Sequence, residues 1–247
     1  MHYIHPLAQI GENVEIGFYT VIYENVQIGS DTVIGNNVVI YPDTKIGDRV
    51  RIDDGAVIGK APMRSVRTAL KQSDDLAPSK IGDDCIIGTG AIVYRGCVVG
   101  DKVMVADLAT LRENTEIGEE TIIGRGAAVE NYCSIGSRCK IETNAYITAY
   151  SKLEDNVFIA PGVVTSNDNF AGRTKERFKY YKGVVVKRGG RIGAQATVLP
   201  GRVIGSDGFV GAGSVVTKDI EDKMIYVGNP AKKKKEVPSN QLLENQK

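Results

Sequence analysis

The chain has 247 residues, 42% of them apolar and 25% charged, with a formal net charge of +1. That composition can bury a core and excludes wholesale disorder, and the near-neutral balance argues against a general nucleic-acid binder. No apolar run approaches the ~20 residues a membrane helix needs, and Met1-His2-Tyr3-Ile4-His5-Pro6 carries no signal-peptide apolar region, so the expectation is a cytoplasmic protein with neither a nucleic-acid nor a membrane partner.

From the N-terminus, isoleucine recurs every six positions: Ile4, Ile10, Ile16, Ile22, Ile28, Ile34, Ile40, Ile46, Ile52 and Ile58. A second block runs Ile81, Ile87, Val93, Val99, Val105, Leu111, Ile117, Ile123, Val129, Ile135, Ile141, Ile147, Leu153 and Ile159, and a third Val186, Ile192, Val198, Ile204, Val210 and Val216. Period six fits neither an α-helix at 3.6 nor a single amphipathic strand at two. It is the signature of a parallel β-helix, in which each hexad is a short strand plus a turn. Three hexads close one triangular coil, so the register residues fill about ten coils. At the parallel-strand spacing the prism is roughly 50 Å long.

The register is interrupted twice, between Ile58 and Ile81 and between Thr165 and Val186. Both interruptions read as loops expelled from the prism, spanning about 60–80 and 166–185, because closing a loop costs little. If the first replaces one corner, Val93 stacks over Ile4, Ile22 and Ile40. The residues that follow them then form one column, His5, Tyr23, Tyr41 and Tyr94. A neighbouring column is Gly11, Gly29, Gly47, Gly82, Gly100, Gly118 and Gly136. In the third column Glu142 interrupts a run of Gly and Ala just before the second loop. That loop opens with Ser166-Asn167-Asp168-Asn169-Phe170, a polar segment on a rigid frame, which is where function tends to reside.

Cys85, Cys97, Cys133 and Cys139 each lie four places after a register residue, where other hexads hold Ala, Val, Thr or Ser. They read as core thiols. The domain boundaries expected are 1–220 for the β-helix and 221–247 for a short irregular or helical cap and tail, with Lys232 to Lys235 a solvated run or a phosphate contact.

The hexads, the expelled loops and the ending Val227-Gly228-Asn229-Pro230-Ala231-Lys232 resemble the hexapeptide-repeat acyltransferases. Phe158-Ile159-Ala160-Pro161-Gly162 with Ser166-Asn167-Asp168-Asn169 is similar to the nucleotide-linked amino-sugar N-acetyltransferases, especially those acting on a 3-amino group. The resemblance implies an all-β, left-handed parallel β-helix that assembles as a homotrimer, with active sites between subunits. It further implies acetyl-CoA as cosubstrate and a dTDP- or UDP-linked amino-deoxy sugar as acceptor. Ala160, Gly162, Gly193, Ala194, Gly211 and Ala212 would let the pantetheine arm approach the backbone. Lys187, Arg188, Lys218 and Lys232 are candidates for the CoA phosphates.

Many members of this family use a histidine base, but here the histidines are His2 and His5 alone, at the N-terminal end. No metal site is expected on the same ground. The expected chemistry is attack of a sugar amine on the thioester. Asp168 would accept a proton or bond the ammonium, Asn167 would fix the sugar or the loop, and Glu142 would complete an anionic site. Arg64 and Arg67 of the first loop are candidates for the substrate diphosphate. Asn144 and Asn169 are further candidate contacts, and Arg112 is either a ligand contact or part of an intersubunit salt bridge. Two rival readings stand beside this one: an O-acetyltransferase, and a non-catalytic β-helix assembly protein.

Overall fold

The computed structural model describes residues 1–63, 65 and 75–246. Its hexads form a parallel β-helix with three sheets. Among the described residues the first face has eleven strands, from Tyr3–Ile4 to Val215–Val216. The second has ten, from Gln9–Ile10 to Val203–Ile204, and the third begins at Glu15–Ile16 and has twelve. The fold class is the expected one, with slightly more turns than ten.

Nearly every strand of the prism is two residues long, Val57–Lys60 and Ile92–Tyr94 being longer, and the register residue points inward. The first-face column Ile22, Ile40, Ile58, Val93, Leu111, Val129, Ile147 is wholly buried. Ile58 pairs with both Ile40 and Val93, so the first loop does replace a single corner. The turns need a residue in the left-handed region, and Asn, Asp and Gly fill many of these positions, as at Asn25, Asp43, Gly96 and Asn114. These residues tolerate positive φ at least cost.

Four places after the register residue, threonines turn inward and bond the coil above. Thr20 Oγ1 donates to Gly35 O at 2.7 Å and Thr121 Oγ1 to Gly136 O at 2.9 Å. Cysteine does the same work: Cys85 Sγ donates to Gly100 O, and Cys139 Sγ to Glu154 O, both at 3.1 Å. All four cysteines are buried and unbridged. Burial pushes the Cys85 and Cys139 thiols up to about 11 and Cys133 to about 12.

The second interruption begins where expected: Thr165 occupies a register position in strand Val164–Thr165 and is 1% exposed. A hydroxyl there is tolerated because Thr165 Oγ1 donates to Tyr146 O and accepts from Thr148 N. The cap is strand first and short 3₁₀ helix after it, where an irregular or helical segment was expected. Met224–Val227 joins the third sheet in parallel, and Lys232–Glu236 folds back on it antiparallel. Residues 239–245 add two short 3₁₀ turns, and Val237 and Leu242 bury against Ile225. The lysine run is exposed along its whole length, because alternate residues of this edge strand have no core on either side.

Candidate active site

The second loop leaves the first face after Thr165 and rejoins the second at Val184, so it springs from the corner between those faces. It is folded on itself. Asp168 Oδ1 accepts the Phe170 N–H at 2.8 Å, while Oδ2 accepts Gly172 N–H and Arg177 Nη1, both at 3.0 Å. Burial pushes this carboxyl up, but those three donors outweigh it and hold it below the usual range. Phe170 stacks on Tyr180 at 5.8 Å, and Arg177 lies over Phe178 at 4.9 Å. The loop then settles against the prism. Lys182 N–H donates to Asn167 O, and at Gly183 any Cβ would collide with the Tyr150–Ser151 peptide. Glycine is required there for the loop to lie this close.

Between loop and prism is a cleft of about 180 Å³ lined by Glu130, Asn131, Tyr146, Thr148, Tyr150, Asn167 and Tyr181. Glu130 belongs to the column Tyr94, Arg112, Glu130, Thr148 that follows the first-face register residues. Just before it in that column, Arg112 donates Nε and Nη2 to Glu113, at 2.8 and 3.2 Å, and Nη1 to Glu130 at only 3.4 Å. The guanidinium also stands 5.1 Å over the Tyr94 ring. Glu113 is fully buried, whereas the Glu130 side chain is 24% exposed. Burial raises Glu130 above the usual carboxylate range; Arg112 opposes the shift and Glu113 reinforces it. Burial, together with the Glu130 charge, likewise raises the Tyr146 phenol. The cleft therefore offers a carboxylate that holds a proton more readily than usual, ringed by tyrosines and amides.

The residues singled out from sequence fall in different places. Asn167 lines the cleft, Asp168 organises the loop and Asn169 is exposed on it. Arg112 sits in the ion cluster before the cleft. Glu142 and Asn144 lie on the corner between the third and first faces, so the structure does not bring Glu142 beside Asp168 within one chain. Ala160, Gly162, Gly193, Ala194, Gly211 and Ala212 follow on that corner. There a Cβ at Gly193 would press on the Ala212 backbone and one at Gly211 on Val227, so coil stacking alone already favours glycine. Lys187 Nζ stands 3.9 Å from Asp222, and Lys218 is exposed. Lys232 opens the last strand opposite Val227. Arg64 and Arg67 lie outside the described residues. Sequence reasoning passed over Glu130, Asn131, Tyr146, Tyr150 and Tyr181 as site residues. A signal for Glu130 was present, since it follows Arg112 in the follower column. A larger cavity, about 240 Å³, lies on the third face under the C-terminal tail beside Phe158, Arg191 and Leu243. It is remote from the loop and its carboxylate.

Matches to the bacterial transferase hexapeptide (six repeats) cover residues 7–42, 25–60 and 78–113, and the hexapeptide repeat of succinyl-transferase matches 114–149. Together they span just over half of the chain. The chain belongs to the bacterial transferase hexapeptide family. Among hexapeptide relatives, it is 50% identical over 48 residues to the dTDP-3-amino-3,6-dideoxy-alpha-D-galactopyranose 3-N-acetyltransferase of Aneurinibacillus thermoaerophilus, covering 19% of this chain and 25% of that one. It is 34% identical over 86 residues to the galactoside O-acetyltransferase of Escherichia coli, covering 34% and 42%. The matches thus span less than half of these relatives' own lengths. In fold, the chain is similar to the Arabidopsis UDP-N-acetylglucosamine acyltransferase, with a TM-score of 0.64 at 21% identity over 95% of this chain and 72% of that one. The Campylobacter jejuni UDP-N-acetylglucosamine acyltransferase gives 0.52 at 19% identity, over 94% and 73%.

Proposed function

We propose that this hexapeptide acyltransferase moves an acetyl group from acetyl-CoA to the amine of a nucleotide-linked amino-deoxy sugar. The observation that carries this reading is Glu130, a half-buried carboxylate with a raised pKa in a cleft that contains no histidine. A sugar amine arrives largely as an ammonium. Glu130 attracts that cation and takes its proton, which frees the lone pair. The amine then attacks the thioester carbonyl, the C–N bond forms as the C–S bond breaks, and the departing thiolate is protonated to free CoA. A hydroxyl acceptor would need a stronger base than a carboxylate, which favours nitrogen over oxygen. Asn167 and the Asp168-ordered loop close the cleft over the sugar. The short match to a dTDP-amino-sugar N-acetyltransferase supports the same acceptor class.

Acetyl-CoA is placed in this proposal along the C-terminal coils, past Ala160, Gly193 and Gly211, with Lys187, Lys218 and Lys232 toward its phosphates. A homotrimer belongs to the same reading. The outer side of the first face carries Val21, Val39, Val57, Ile92, Ala128 and Val164, an apolar strip beside the cleft. A second subunit on that strip would complete the site and bring a neighbour's Glu142 corner within the assembly. The test is incubation with acetyl-CoA and a panel of dTDP- and UDP-linked 3-amino and 4-amino sugars, with products read by mass. One acetylated amine is the expected product. Acetylation only of hydroxyl acceptors would move the assignment to an O-acetyltransferase, and neither turnover nor CoA binding would point to an assembly protein.

A further inference from the structure

On the corner that carries the cleft, the left-handed turn position is Asn25, Asp43, Gly96, Asn114 and Gly201 in five coils, but Tyr132 and Tyr150 in the two coils leading up to the second loop. Their φ values are 58° and 65°. The turn itself requires this backbone, and Tyr19 and Leu108 adopt it on another corner, so what distinguishes Tyr132 and Tyr150 is that their rings pair beside the cleft. The two rings lie 5.3 Å apart and only 2° from parallel, and each tyrosine stays 40% exposed. Tyr150 lines the cleft, and Tyr132 backs it.

A second observation comes from Asn131, which is 3% exposed and also lines the cleft. Its Nδ2 is buried and makes no hydrogen bond among the described residues. A buried amide donor without an acceptor is costly and rare, so the group is accounted for by an acceptor that arrives from outside. The cleft, at about 180 Å³, is smaller than the roughly 300–1,000 Å³ of a site that encloses a drug-sized ligand. It takes one ring of the substrate rather than a whole nucleotide.

We propose that Tyr150, braced by Tyr132, is the floor of a pyranose subsite, and that Asn131 Nδ2 is the donor to a ring hydroxyl. The apolar C–H face of an amino-deoxy sugar lies on the Tyr150 ring, with the Tyr146 and Tyr181 rings alongside. This places the amine toward Glu130, two residues before Tyr132 in the same turn. The assignment rests on the amino-sugar reading above and names the side chains that hold the sugar, as distinct from those that transfer the acetyl group.

The test is calorimetric binding of dTDP-linked 3-amino-3,6-dideoxygalactose and of dTDP alone to wild type, Tyr150→Ala, Tyr150→Phe and Asn131→Asp, each checked for its melting temperature. Roughly tenfold or greater weakening toward the sugar nucleotide is expected for Tyr150→Ala and Asn131→Asp. Tyr150→Phe should bind like wild type, and affinity for dTDP should be unchanged in every variant. Equal loss of dTDP and sugar-nucleotide binding, or wild-type binding by folded Tyr150→Ala and Asn131→Asp, would overturn the subsite while leaving the transferase reading intact. Failure of wild type to bind any of the dTDP- and UDP-linked 3-amino and 4-amino sugars more tightly than its free nucleotide would overturn both.

Discussion

Arg112 grips Glu113 through two N–H groups at 2.8 and 3.2 Å, and this contact decides what Glu130 is free to do. A guanidinium committed to one carboxylate neutralises the next only partly. Glu130, at 3.4 Å from the third nitrogen, keeps a raised pKa and an open side toward the cleft.

Glu130→Gln is expected to lower kcat/KM by roughly 10²–10⁴, the usual scale of a lost general base. The wild-type acid limb, where activity rises as Glu130 loses its proton, should flatten in this variant. The sign for stability runs the other way. A carboxyl whose folded pKa is raised favours the fold at low pH and costs stability as pH rises through that pKa. Glu130→Gln should therefore melt higher than wild type at pH 8, with the gap closing as pH falls toward 4. A steeper acid limb in the variant would contradict the assignment.

Arg112→Met strands the buried Glu113 carboxylate. Loss of one partner of a buried pair costs about 3–5 kcal/mol. The Arg112→Met, Glu113→Gln double variant should lose less than the two single variants summed, because the pair acts as a unit. Denaturant unfolding of the three proteins measures this, and simple additivity would show that the contact carries no coupling.

Asp168→Asn and Arg177→Ala should both loosen the second loop, since Asp168 collects three of its hydrogen bonds. Limited proteolysis within residues 170–182 is expected to accelerate in both, with KM for the acceptor rising. A carboxyl held below its ordinary value stabilises the fold above that value, and the benefit is lost as pH falls through the lowered pKa. Loop protection in wild type should thus fade below about pH 4. Cleavage at wild-type rates in both variants would remove the ordering role from Asp168.

Cys139→Thr should be tolerated within about 1 kcal/mol, because Thr121 Oγ1 makes the same contact to the coil above that Cys139 Sγ makes. Ile123→Ala, in the sealed core, should cost about 2–5 kcal/mol. With burial raising their pKa values, the native thiols should not react with a thiol-specific dye until the protein unfolds. Rapid labelling of the folded protein would contradict the packing described.

The solenoid was legible because a six-residue period dictates an inward column whatever the remaining residues are. Even the phase across the first loop could be read, since only one choice stacks Val93 on the Ile4, Ile22 and Ile40 column. Two features were hidden. The cap looked irregular because Lys232–Glu236 carries no alternation to mark a strand. The cleft was hidden most thoroughly: it exists only where a returning loop, let in by Gly183, comes down on the Tyr150–Ser151 corner one coil earlier. Asp168 drew attention as an acid in a loop, yet its lone pairs serve that loop. Glu130 was not singled out, because neither its burial nor the competition for Arg112 can be read from a string.

The most direct test of the account is thiol release from acetyl-CoA with a matched pair of nucleotide sugars, one bearing an amine and the other a hydroxyl at the same carbon. The account predicts turnover on the amine, none on its hydroxyl twin, and loss of the amine activity in Glu130→Gln. Turnover of the hydroxyl twin, or full amine activity in Glu130→Gln, would contradict it.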